Sequence, residues 1–123
     1  MNAGREYLRA ELIAVAETVV PGQRPVVTHD PGPVNPGVLF DGRGPATVCR
    51  ITVETGDPKS PDPTAAVTAA AAALRARGWT TEVQPPENGH HRVSAQRDGY
   101  DIAVHAWTTD WRITLTGETP LAT

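Results

Sequence analysis

Apolar positions recur along this chain with two different periods. Between residues 3 and 20 the period is helical: Leu8, Leu12, Val15, Ala16 and Val19 share one face, and Arg and Glu residues fill much of the rest. Pro21-Gly22 ends that run. A second helix, expected over 63–77, has stronger punctuation. Asp62 can accept from the free N–H groups at its start, and Pro63 suits the first helical position. Val67, Ala70, Ala71 and Leu74 form its buried stripe. The alanines at 69–73 favour helix and allow close approach to a sheet. Gly78 suits the left-handed residue that closes a helix, which puts Trp79 where it can touch Leu74.

Beyond Gly78 the period falls to that of a strand. Asn88-Gly89 and Asp98-Gly99 separate short alternating runs, so the helix is followed by four strands. An Asp98-Gly99 hairpin loop pairs Arg97 with Tyr100, which sets Ala95 opposite Ile102 and Val93 opposite Val104. A four-residue loop at 107–110 then pairs Ala106 with Trp111, Val104 with Ile113, and Ile102 with Leu115. The expected core face is Val93, Ala95, Ile102, Val104, Ala106, Trp111, Ile113 and Leu115. Trp79 and Trp111 are thus expected in the core, and Trp107 in solvent. The opposite face carries Arg92, Ser94 and Gln96 on one strand, Asp101, Ala103, His105 and Trp107 on the next, and Arg112, Thr114 and Thr116 on the third. In this register His105 sits between Arg92 and Arg112, with Trp107 at the strand end beside His90.

The middle of the chain is less regular. Pro21, Pro25, Pro31, Pro33 and Pro36 make residues 21–37 a connector in which neither helix nor central strand is expected. Val38-Leu39-Phe40 is a short apolar run, Gly42 to Pro45 a turn, and residues 46–54 alternate with Cys49, Ile51 and Val53 on one face. That stretch reads as a hairpin with one wet face. Residues 55–62 read as a polar loop. The expected architecture is one α+β domain over 1–123: a two-layer sandwich with an antiparallel sheet of five or six strands and two helices packed on one face.

Composition narrows the function classes. The 123 residues can bury a core without staples, and a formal charge of −3 argues against a partner bound by phosphate neutralisation, so no nucleic acid is expected. Cys49 is the only cysteine, which rules out an internal disulfide; on the apolar side of its strand it is expected to be buried and inert. No apolar run reaches membrane-spanning length, and residues 2–20 lack the pattern of a signal peptide, so a cytoplasmic address is expected.

Candidate chemistry is sparse. His29, His90, His91 and His105 lack metal-ligand spacing, and no carboxylate pair or nucleophile triad can be placed, so no catalytic residue, metal or cofactor is expected. The candidate binding residues are Arg92, His105, Trp107 and Arg112. Guanidiniums can hold a carboxylate or phosphate, and an indole gives a stacking surface. A plain solvated sheet face also accounts for Arg and Thr at these positions; an exposed Trp is what it explains least.

The segment Gly99-Tyr100 with Trp111-Arg112-Ile113-Thr114-Leu115-Thr116-Gly117-Glu118-Thr119-Pro120, preceded by an Ala/Leu/Arg helix ending in Gly78-Trp79, resembles the C-terminal half of small uncharacterised actinobacterial proteins, many of them lipoproteins or membrane-anchored. The resemblance covers residues 63–120. It implies an α+β fold and brings no activity. Those relatives tend to carry a cysteine after Thr-Pro that could bridge to a strand cysteine like Cys49; Leu121 stands there in this chain, and no lipobox precedes that helix. The sequence therefore points to a non-enzymatic binding module, immunity-like or accessory, acting through its exposed sheet face or the proline-rich loop. Its partner would be another protein or a second copy of itself. The alternative is a small enzyme or small-ligand binder with an anion pocket around Arg92, His105 and Arg112.

Overall fold

A computed structural model describes residues 3–30, 48–59 and 62–120. In chain order the elements are α1 (Ala3–Val19), β1 (Val26–His29), β2 (Arg50–Gly56), α2 (Pro63–Ala76), β3 (Thr80–Glu87), β4 (His90–Arg97), β5 (Tyr100–Trp107) and β6 (Asp110–Glu118). The strands form one antiparallel sheet in the order β1-β2-β6-β5-β4-β3. β3 to β6 are a meander, and β6 ends beside β2, so α2 must carry the chain across the sheet from β2 to the far edge. Among the described residues no helix is long and apolar enough to cross a membrane.

Both helices cover the same face. Leu8, Leu12, Val15 and Ala16 of α1 and Val67, Ala70, Ala71 and Leu74 of α2 are buried against Ile51, Val53, Val93, Ala95, Ile102, Val104, Ala106, Ile113 and Leu115. The ends of α2 follow from its sequence. Asp62 accepts from the Ala65 amide at 3.0 Å. At the other end Trp79 N–H reaches Leu74 C=O at 3.0 Å and Gly78 N–H reaches Arg75 C=O at 3.0 Å, the paired bonds of a Schellman ending, with Gly78 at φ +92°. Trp79 is 3% exposed and closes the core at this end.

The β4–β5 register is the expected one throughout, from Arg97 opposite Tyr100 to Val93 opposite Val104. Asn88, Gly89, Asp98 and Gly99 all have positive φ, the geometry of tight primed turns that match strand twist. The β5–β6 register differs from the expectation. Trp107 pairs with Asp110, so the loop is Thr108-Thr109, and an irregularity follows that sets Ala106 opposite Ile113, Val104 opposite Leu115 and Ile102 opposite Gly117. The loop itself keeps the expected ladder, since Trp107–Asp110 is in register with the expected Ala106–Trp111; the bulge at Trp111 and Arg112 alone moves the pairing beyond it by two residues. Ile113 and Leu115 therefore keep the core face, but Trp111 falls in the bulge and is 40% exposed, not a core residue. Gly117 takes the place expected of Leu115. A Cβ there would lie 2.8 Å from Leu8 Cδ1 and 3.2 Å from Leu12 Cδ1, so the missing side chain is what lets α1 settle onto β6.

Two further differences lie in the first half. Val26–His29, inside the stretch read as a connector, is a short edge strand paired with β2. An edge position tolerates the neighbouring prolines because one side of the strand needs no ladder bonds. Thr55 and Gly56, read as loop, belong to β2. The expected run Val38-Leu39-Phe40, the turn at 42–45 and residues 31–37 lie outside the described residues. Cys49 is buried at 7% exposure, and its backbone N–H donates to the Thr119 side-chain Oγ1 at 2.9 Å while its carbonyl accepts from the Thr119 amide at 3.0 Å.

Candidate functional site

The face of the sheet opposite the helices is uncovered by any described residue. Its floor is small because Ser94, Ala103 and Thr116 sit on adjacent central strands, with Ser94 opposite Ala103 and Ala103 opposite Thr116. Larger side chains stand around that floor: Arg92 and His105 toward one end, and Arg50, Asp101 and Glu118 toward the other. Sheet twist turns this into a trough of about 610 Å3, open to solvent. Arg50 pairs with Glu118 at 3.0 Å, so the charge of Asp101 remains at that end.

The other end carries the distinctive chemistry. Arg92 lies opposite His105, and His90 opposite Trp107. The diagonal between these pairs brings His90 Nε2 to 2.8 Å from His105 Nδ1. The two ring centroids are 5.1 Å apart and the planes differ by only 8°. A nitrogen contact that short between parallel rings with centroids that far apart places them edge to edge in nearly one plane, not face to face. The bond is therefore an in-plane imidazole–imidazole hydrogen bond, in which one ring donates and the other accepts. Trp107 lies nearly parallel to both rings, at 5.3 Å from His90 and 5.9 Å from His105. Trp107 is half-buried by these neighbours, less exposed than expected. Burial holds His105 below the ordinary histidine range, with help from His90 and the Arg92 charge.

Three of the four candidate binding residues thus share one end of the outer face: Arg92, His105 and Trp107. Arg112 does not join them. The register shift sets Thr114, not Arg112, beside His105, and Arg112 pairs with Gly56 of β2 instead. Its guanidinium lies over the Trp111 ring at 5.5 Å and 3.9 Å from Asp110. Sequence reasoning also missed the bond from His90. The signal was present, since His90 and Arg92 are two apart on one strand and so share a face, but a diagonal contact is not visible from direct cross-strand pairs alone.

Arg92 is distinct among the outer-face arginines. Arg50 faces Glu118 and Arg112 faces Asp110, whereas among the described residues no carboxylate lies within ion-pair distance of Arg92. Beside it, Gln84 donates to Ser94 Oγ at 2.8 Å, and its carbonyl oxygen finds no protein partner among the described residues. No three His, Cys, Asp or Glu side chains gather among the described residues as a metal centre requires. His29 is on the edge strand β1, across the sheet from the imidazole pair.

No protein-family model matches this chain. No curated protein matches it either. Among solved structures it is similar to LppA of Mycobacterium tuberculosis, named there as a candidate lipoprotein, with a TM-score of 0.60 and 19% identity over 97% of this chain and 75% of LppA. At that identity the likeness is one of fold. It agrees with the resemblance to actinobacterial lipoprotein-like α+β proteins that the C-terminal half carries.

Proposed function

We propose that this protein is a non-enzymatic binding module that holds a partner protein, as an accessory or immunity-like factor does, in the trough on the outer face of its sheet. One observation supports this most: both helices cover one face, while the other presents a continuous concave surface ending in an arginine and three coplanar or parallel rings. Arg and Trp are the residues that most often dominate binding energy. A trough of this kind suits an extended segment better than a small substrate, since it is open and its polar groups do not converge on a point. The alternative reading, an anion pocket closed by Arg92, His105 and Arg112, loses one wall because Arg112 belongs to the neighbourhood of Trp111.

Site-specific photo-crosslinking in the cell of origin tests this. A photoreactive residue at position 103, on the trough floor, should give a discrete adduct. The same residue at position 72, on the exposed side of α2, should not. Adducts formed only from position 72, or from neither, would reject the trough as the binding surface.

A further inference from the structure

We infer that Arg92, His105 and His90 form a proton-coupled site for an oxyanion carried by the molecule that occupies the trough. The inference rests on the outer-face reading and names the chemistry recognised at one end of it. Its first support is the uncommitted guanidinium: Arg92 is exposed and has no carboxylate among the described residues. A guanidinium presents a fork of donors matched to carboxylate, sulfate or phosphate oxygens. Its second support is the imidazole pair beside it. A bond of 2.8 Å between ring nitrogens needs one of the two to be without a proton. The pair can take one proton on an outer nitrogen and keep the bond. A second proton must go on the accepting nitrogen, which breaks the bond and leaves two cations in contact. Arg92, directly across from His105, opposes the charged form of that ring.

An oxyanion seated on Arg92 removes that opposition. Its charge screens the guanidinium and favours the protonated rings, which then donate to it. Binding of the anion and uptake of a proton therefore favour each other, and by linkage affinity rises as pH falls through the titration of the pair. The other charged groups on this face include Glu54 of β2, opposite Thr114 in the row of His105, and Glu82 of β3, opposite Ser94; neither is within ion-pair distance of Arg92. Glu87 of β3 lies opposite His90 and can accept from it once protonated. Asp110 of β6 lies opposite Trp107 and is engaged with Arg112. Thr114, the β6 neighbour of His105, is uncharged. Asp101 on β5 is at the far end of the trough.

The test uses the isolated full chain and two probes, sulfate and acetate, both charged between about pH 6 and pH 8. Imidazole resonances of His90 and His105 are followed by NMR. The expected result is coupled titration of the two rings, with a probe moving both. Affinity should fall by about tenfold per pH unit at most, the limit for one linked proton. The tighter probe assigns the group as a carboxylate or a tetrahedral oxyanion. Arg92→Gln and His90→Gln should lose the coupling, while Arg92→Lys should keep it; unchanged backbone spectra would show that each variant is folded. The inference is overturned if neither probe moves the rings, if affinity is the same at both pH values, or if His105 titrates identically in His90→Gln. Because no partner is needed, this outcome is separable from failure of the crosslinking experiment.

Discussion

Trp79 donates its indole N–H to Glu11 Oε1 at 3.0 Å, joining the turn that closes α2 to the middle of α1. The second carboxylate oxygen of Glu11 accepts from Arg77, whose Nε is at 2.9 Å. Glu11 is 5% exposed, so this carboxylate is a buried acceptor shared by two donors. It ties both helices together at the end where Trp79 closes the core.

Replacing Glu11 by Ala strands the buried Trp79 N–H and should cost about 1–3 kcal/mol, the usual penalty for an orphaned buried donor. Glu11→Gln keeps an acceptor for Trp79 and should cost less. Chemical denaturation of the three proteins at neutral pH measures both steps.

Acid should unfold the protein partly through the same residue. Burial pushes the Glu11 carboxyl up, but the bonds from Arg77 and Trp79 and the arginine charges outweigh it and leave the group below the ordinary glutamate range. A carboxyl with a folded-state value below its unfolded one stabilises the fold above the unfolded value, about 4.3, and loses that contribution as pH falls through the folded value. Wild-type stability should therefore drop more steeply than that of Glu11→Gln below about pH 4.3. Parallel slopes in an acid titration would contradict this.

The tryptophans should separate by position. Trp79→Ala should cost about 3–5 kcal/mol, as truncation of a buried aromatic does. Trp111→Ala should cost clearly less, because Trp111 stands 40% exposed in the bulge. Equal losses in denaturant midpoint would show that Trp111 is packed after all.

Gly117 should resist substitution although its φ is ordinary. An added Cβ would press on Leu8 and Leu12 side chains that are both fully buried, so Gly117→Ala should cost about 1–3 kcal/mol through overpacking. Thermal denaturation of this variant reads the effect. A compensating Leu8→Val change should recover part of the loss, since it removes Leu8 Cδ1, the nearest of the clashing atoms.

Much of this architecture is legible in the sequence because turn chemistry and alternation agree. Asp98-Gly99 sets β4 against β5 without error, and Asp62, Pro63 and Gly78 bound α2. The β5–β6 register is not legible in the same way. Thr108-Thr109 carries no glycine or asparagine to mark a tight loop, and a bulge adds residues without changing which of Ile113 and Leu115 face inward. Alternation therefore fits both registers, and only the position of Trp111 and Arg112 distinguishes them. The site is half legible for the same reason. Arg92, His105 and Trp107 depend on β4 and β5 and come together, whereas Arg112 depends on β6 and does not. The trough itself needs β2 beside β6, a long-range pairing that no local pattern announces.

The measurement that bears most directly on the outer-face reading is the crosslinking yield from position 103 in a variant combining Arg92→Glu with Trp107→Ala. Neither residue belongs to the core, so the fold should persist with only a small change in stability. The adduct seen with the parent chain should fall by about tenfold or more, as loss of an anchoring Arg and Trp costs an interface at least about 1.4 kcal/mol. An undiminished adduct from a folded double variant would contradict the account and show that the partner does not read this end of the sheet.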